Sequence, residues 1–299
     1  NNQLGTIKLF LEFCVDIEAV PPELPAKVDV PTLSKAERAN EEKLSADRAT
    51  LILENLERFD YASRDHVLFA LAWHTGMRLG SLRSLDLRDC YLTEDDLERL
   101  AHQDDLDHED LEAVDVPFVY FRHRPDSDTP LKNQVEGGRP VGLSHDLGEL
   151  LQDYIEVTRP DVLDDHGRKP LLASAQGRPT ENTVRVWSYG ATQPCVAGGC
   201  PHDKDPDTCE WTQYAHLSKC PSSRSPHPIR TGSITWQLNQ GIPPEVVAER
   251  VDATVKTIEN HYDWASKEGR WRRYRDRMEQ RQDYVDQLTE NGDSEHELN

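Results

Sequence analysis

Apolar positions along this 299-residue chain fall into short clusters divided by proline, glycine and acidic runs, and most clusters predict helices. Ile7 to Ile17 has helical spacing, and Pro21, Pro22, Pro25 and Pro31 follow as a proline-rich exit. This reads as the last helix of a preceding domain and its linker. Ser34 and Glu37 stand at capping-box spacing, and Ser45 opens a helix running through Leu51, Leu53 and Leu56. Val67 to Trp73 is a strongly apolar helix that breaks at Thr75-Gly76, and Leu82 with Leu85 gives a short helix after it. Val116 to Phe121 and Arg139 to Leu143 read as two strands of a hairpin with a long loop, turning near Gly137-Gly138. Further helices are predicted over about 146–157 and 181–188, from Ser225-Pro226 to Gly241, from Pro243, up to Tyr262, and over about 266–288. Residues 190–225 show no periodicity and are rich in Cys, Pro, Gly and Asp. No internal repeat is visible. The fold class is mainly α with a small antiparallel β-sheet.

Charge complicates any functional reading. Asp and Glu number 55 against 34 Lys and Arg, giving a formal net charge of -21. Such a balance ordinarily argues against nucleic acid as a partner. Only ten of the basic residues are Lys, however, and the remaining 24 are Arg. Two explanations compete: an acidic partner-binding surface, or a salt-rich cytoplasm in which hydrated carboxylates maintain solubility and Lys becomes scarce. In molar salt the Debye length shrinks to about 3 Å, so net repulsion from DNA barely reaches past contact and local arginines decide binding. No run of eighteen apolar residues suggests a membrane span, and the first residues do not form a signal peptide. The chain starts at Asn1, which suggests a start inside a longer product or after processing.

The candidate chemistry centres on His227-Pro228-Ile229-Arg230 and a later His261-Tyr262. On a helix, His227 and Arg230 project from one face. A guanidinium fork matches two phosphate oxygens, and an imidazole passes a proton at neutral pH. A tyrosine delivered to that pair is a candidate nucleophile. Upstream, Arg78 follows directly on the helix break, in Thr75-Gly76-Met77-Arg78. Two arginines meet the charge demand of phosphoryl transfer without a metal, and no G-x-x-x-x-G-K-[ST] loop is present.

Taken together, T-G-x-R, H-x-x-R and a late H-Y in this order resemble the tyrosine recombinase (phage integrase) family, in particular its halophilic archaeal branch. The resemblance implies a recombinase-like catalytic domain over residues 31–290, preceded over 1–30 by the end of a helical core-binding domain, with a disordered acidic tail at 291–299. It implies site-specific cleavage and rejoining of double-stranded DNA through a 3′-phosphotyrosyl intermediate on Tyr262, by an enzyme that self-associates on DNA and works in a salt-rich cytoplasm on the nucleoid. Arg78 and Arg230 would bind the non-bridging oxygens and His227 would manage protons. Lys132, in the loop between the predicted strands, would protonate the leaving oxygen. No cofactor is implied for catalysis. Helix 266–288 would pack on a neighbour, and Arg224, Arg270, Arg272 and Arg273 would track phosphates.

Two departures stand out. The family usually carries a second His or Trp about nine residues before the tyrosine, where Val251-Asp252-Ala253 stands here. Asp252 is the nearest polar candidate for that catalytic place, yet a carboxylate donates no hydrogen bond to phosphate unless protonated. It either leaves the role unfilled or orients a neighbour; His261 is a further substitute. Ser81 stands where many relatives have Glu, which bears on how Arg78 is held. A catalytically impaired DNA-binding relative and an acidic zinc-stabilised protein-interaction module are the alternative readings.

Cys195, Cys200, Cys209 and Cys220 all lie in the aperiodic stretch, spaced C-x4-C-x8-C-x10-C. Four thiolates suit a structural Zn2+ that would order a loop lacking its own core, with His202 or His216 as alternative fourth ligand. Disulfides and unliganded thiols remain the other options. Such a site would prop the His227 helix. Cys14 and Cys90 read as core residues.

Overall fold

The computed structural model describes residues 2–31, 43–104 and 114–261, together with residues 275 and 278. The chain divides into two compact units, Asn1–Glu42 and Lys43–Asn299. In the first, α1 (Asn2–Asp16) carries the predicted apolar stretch, with Ile7, Leu9, Phe10 and Phe13 exposed along it. The proline-rich exit contains a short 3-10 turn at Pro25–Lys27. The Ser34–Glu37 capping box and the acidic tail lie outside the described residues, as does helix 266–288 apart from Arg275 and Met278.

The second unit runs α2 (Ala46–Phe59), α3 (Arg64–Thr75), α4 (Leu79–Ser84), β1 (Cys90–Tyr91), α5 (Leu97–Asp104), β2 (Phe118–Phe121), β3 (Arg139–Gly142), α6 (His145–Asp153), α7 (Glu181–Ala191), α8 (Pro226–Asn239), α9 (Pro244–Arg250) and α10 (Val255–His261). At its centre is α3. Ser63 caps its start by accepting from the His66 backbone N–H at 3.0 Å, and Gly76 ends it in the left-handed region at φ 62. Every residue from His66 to Trp73 is buried, so the helix has no solvent face and neighbours cover it all round. Those neighbours are α2, α6, α7 and α8. Each fully buried Leu or Phe side chain here contributes about 1.5–3 kcal/mol of apolar burial.

The predicted hairpin forms, with Val119 opposite Val141 and Phe121 opposite Arg139. Val119, Phe121 and Val141 turn into the main core. The alternate positions build a smaller cluster in which Tyr91 stacks on Phe118 at 4.7 Å between centroids. Tyr91 belongs to β1, an antiparallel edge strand absent from the sequence reading because two residues are too few to show alternation. Beside the sheet, a buried ion network joins Asp86 and Asp89, which follow α4, to the hairpin and to the loop before α7. Arg124 donates to both oxygens of Asp89 at 2.8 and 2.6 Å, and Arg178 bridges Asp86 and Asp164. Bidentate geometry offsets the cost of removing these charges from water.

The stretch 190–225 contains short helical turns at Pro194–Ala197, Glu210–Thr212 and Tyr214–Lys219, which carry too few residues to register as a period. After it, α8 crosses α3 very closely. Trp73 and Trp236 meet at 5.8 Å between ring centroids, and the Leu44 N–H donates to Pro228 O at 3.1 Å. A Cβ on Gly232 would lie 2.1 Å from the Leu44 carbonyl oxygen and 3.0 Å from the Trp73 ring. Backbone cannot yield as a flexible side chain does, so only glycine fits at this crossing.

Gly232→Ala is therefore expected to lower unfolding free energy by about 1–3 kcal/mol or more. Gly80, whose added Cβ would meet nothing within 4 Å, serves as control. Gly80→Ala should be neutral or stabilise by up to about 1 kcal/mol. Urea unfolding midpoints of the two variants provide the comparison.

Candidate functional site

Four sequence-predicted residues, Arg78, Lys132, His227 and Arg230, line one cleft of about 360 Å³, with Met77, Leu79, Arg185, Ser225, Pro226 and Thr257 completing its walls. They arrive from three separate segments: the turn after α3, the β2–β3 loop and α8, which carries both His227 and Arg230. The left-handed turn at Gly76 directs the chain away from α3, Met77 is buried as an anchor, and Arg78 emerges at the start of α4. Gly76 also has little room for a side chain, because a Cβ there would approach Val251, Ser233 and Gln237 at 3.1 to 3.3 Å.

Arg230 is 4 % exposed and sits one turn along α8 from His227. Its Nη1 donates to the carbonyls of Gly76 at 2.6 Å and Val251 at 2.9 Å. One guanidinium thus joins the α3–α4 turn, α8 and the α9–α10 corner. Ser233, one residue beyond Gly232, reinforces the first of these junctions by donating to Trp73 O.

Asp252 occupies the α9–α10 corner with φ 56. It does not stand free to meet a phosphate. Its Oδ2 accepts from Arg78 Nη1 at 2.6 Å, and its Oδ1 accepts from Asn133 Nδ2 at 2.7 Å. Of the two options left by the sequence, orientation of a neighbour is the one the contacts match. Ser81 is buried in α4, and the ion pair of Arg78 is made with Asp252.

Positive charge collects here despite the acidic chain. Arg139, not singled out from sequence, opens β3 and donates to Arg250 O at 3.1 Å, Gly137 O at 2.6 Å and Met77 Sδ at 2.9 Å. Burial pulls its pKa down to about 10; Asp252 acts in the opposite sense, while nearby Arg230 and Arg78 add to the depression. It remains charged at neutral pH. The His227 ring is held below the usual imidazole value, first by loss of hydration and then by Arg230, Lys132 and Arg78. At neutral pH it is therefore an unprotonated base facing a cationic cleft. His74, behind the site, is pushed to about 4 by burial and by Arg250, whose Nη2 lies 2.9 Å from its Nδ1.

Arg185, also missed, projects from α7 into the same cleft. Its signal in sequence was no more than an arginine in a predicted helix, whereas its place in the cleft wall depends on tertiary packing. Thr257 brings α10 to the cleft wall. Tyr262 follows directly on His261, the last described residue of α10, and lies outside the described residues together with Arg270, Arg272 and Arg273. Arg224 donates to Pro221 O at 2.8 Å and Ser223 O at 2.9 Å and does not line the cleft.

The zinc expectation finds no support among the described residues. Among the described residues no three His, Cys, Asp or Glu side chains form a metal-binding group, and all four cysteines are free of disulfides. Burial raises the Cys195 thiol, with Cys220, Cys200 and Cys209 adding to the effect. Other contacts order the segment. Gln193 Nε2 donates to Trp211 O at 2.6 Å, Lys204 lies 4.5 Å from the Trp211 ring centre, and Ser223 Oγ donates to Leu217 O at 2.8 Å. His202 shares a 3.0 Å hydrogen bond with Ser222 through its Nε2.

No protein-family model and no curated protein matches the sequence. Solved structures do. XerA recombinase matches with TM-score 0.50 at 16% identity, over 92% of this chain and 73% of that one. The Tn1549 transposon integrase, in complex with a circular intermediate DNA, matches with TM-score 0.54 at 16% identity, over 94% and 78%. A lambda integrase dimer bound to a COC' core site gives TM-score 0.51 at 12% identity, over 88% and 59%. At these identities the likeness is one of fold. No described helix is long and apolar enough to cross a membrane. The chain thus has the mainly helical, small-sheet fold of the tyrosine-recombinase catalytic domain.

Proposed function

We propose that the protein is a site-specific DNA recombinase that cuts and rejoins strands through a 3′-phosphotyrosyl intermediate. The observation that carries this reading is the convergence of Arg78, Lys132 and the His227–Arg230 pair, from three distant segments, on one cleft. In the proposed reaction Tyr262 Oη attacks the scissile phosphorus and its proton passes to neutral His227. The bond from phosphorus to the 5′ oxygen breaks, and the Lys132 ammonium protonates that oxygen. Arg78 and Arg230 hold the non-bridging oxygens as charge builds on them. Because the ester is stored on tyrosine, a 5′ hydroxyl from another strand reverses the steps with no further energy source. Arg185 is suited to an adjacent phosphate of the duplex.

Residues 1–30 are read as the end of a helical DNA-embracing domain and its linker, and the working form as an oligomer on double-stranded DNA. The dimeric lambda integrase complex supports that assembly by analogy of fold. Net charge of -21 and the scarcity of Lys support work in a salt-rich cytoplasm, where long-range repulsion from DNA is screened. The second reading is a DNA-binding relative without cleavage chemistry. It is favoured by Asp252 standing where recombinases carry a phosphate-binding His or Trp.

A nicked suicide duplex separates the two. Wild type should accumulate a covalent protein–DNA adduct, Tyr262→Phe none, and Arg78→Ala about 10²–10³-fold less per unit time; an inert wild type favours the second reading. Acid inactivation follows from His227, which must be neutral to accept the phenolic proton. Its lowered pKa places the acid limb of kcat/KM below pH 6.5, and activity falls as pH drops through it. His227→Gln should remove that limb and slow cleavage by about 10²–10⁴-fold; a limb centred above 6.5 would assign the proton elsewhere. Finally, dialysis into low salt should loosen the fold as acidic self-repulsion grows, read by circular dichroism. A fully compact protein at about 10 mM ionic strength, where the Debye length is about 30 Å, would count against salt adaptation.

A further inference from the structure

We infer that Asn133 and Asp252 form a latch that fixes the loop bearing Lys132 over the cleft, making Asn133 a positioning residue for proton delivery to the leaving oxygen. The inference rests on the strand-cleavage reading above and adds to it a residue and a mode of control.

The physical problem is Lys132 itself. It is exposed, it sits on a long hairpin loop, and residues 132 to 136 are all exposed, with Val135 at 77%. A flexible four-carbon side chain on an unanchored loop would spend little time within reach of one oxygen atom. Its two neighbours remove much of that freedom. On one side Leu131 is buried, and its N–H donates to His123 Nδ1 at 2.9 Å. On the other, Asn133 Nδ2 donates to Asp252 Oδ1 at 2.7 Å, a contact between residues 119 positions apart. Lys132 lies between two pins.

Asp252 is a firm point of attachment. Its backbone is set in the left-handed region at the end of α9, its N–H donates to Glu249 O at 3.2 Å, and its other oxygen pairs with Arg78. A carboxylate has enough lone pairs for both partners. A neutral amide suits the loop side, because it holds Asp252 without competing for its charge. Past Asn133 the loop returns through Gln134 at φ 54 to Gly137, where a Cβ would touch both Asp252 Oδ2 and Leu131 at 3.4 Å. The same carboxylate therefore sets the place of the arginine that grips the phosphate and of the lysine that protonates the leaving group. Where recombinases place a side chain that binds phosphate, this chain has one that couples two others.

The test uses the full chain and two nicked suicide duplexes, identical except that sulfur replaces the bridging 5′ oxygen in one. A thiolate leaves without a proton, so the sulfur duplex makes Lys132 dispensable. Asn133→Ala should slow adduct formation on the oxygen duplex by about 10–100-fold and return to within a few-fold of wild type on sulfur, as Lys132→Ala does. Asn133→Asp, which sets two carboxylates against each other, should show at least the same loss and the same rescue. Unchanged cleavage by Asn133→Ala on the oxygen duplex would overturn the latch. So would a loss that sulfur does not rescue, because that places the damage at Arg78 or in the fold, and thermal melting of each variant separates those two. A wild type inert on both duplexes would overturn the strand-cleavage reading, and the latch with it.

Discussion

The arrangement depends on one buried cation. Arg230 reaches from α8 to the carbonyls of Gly76 and Val251, and thereby fixes the distance between the turn that presents Arg78 and the corner that presents Asp252. A guanidinium is suited to this because its planar fork gives several donors in a rigid geometry, and it stays charged when buried. The close crossing of α8 over α3 at Gly232 brings it there, and the left-handed Gly76 leaves a carbonyl for it to bind. Fold and site share these contacts, so the packing of the core also sets the position of the cleft.

Gathering like charges in one place works against stability, and the site handles this in two ways. Arg139 and Arg230 donate to main-chain carbonyls, which stabilise the cations without neutralising them. Asp252 supplies a carboxylate at the centre of the cluster, 11% exposed at its side chain, and opposes the depression of Arg139. The result is a local positive field inside a chain of strongly negative total charge. Net charge describes long-range steering, whereas contact with a single phosphate is decided within a few ångströms.

The cysteine-rich segment shows how little composition decides when spacing is loose. Four cysteines in one aperiodic stretch suggested a metal, yet the ordering there comes from Trp211, from Gln193 and Ser223, and from a His202–Ser222 bond.

By itself the sequence determined most of the elements and put the candidate site residues into recognisable patterns. The helix start at Ser45, the stop at Gly76, the hairpin around Lys132 and the His227 helix are local features, set by backbone geometry and short-range hydrogen bonds. Arg78, Lys132, His227 and Arg230 were legible because each sits in a short pattern tied to such a feature. The two-residue β1, the places of Arg139 and Arg185, and the partners of Asp252 were decided by tertiary structure. These depend on which segments meet across more than a hundred positions of chain, as Asn133 and Asp252 do. Burial, close approach and charge balance are properties of that meeting, and no local pattern encodes them.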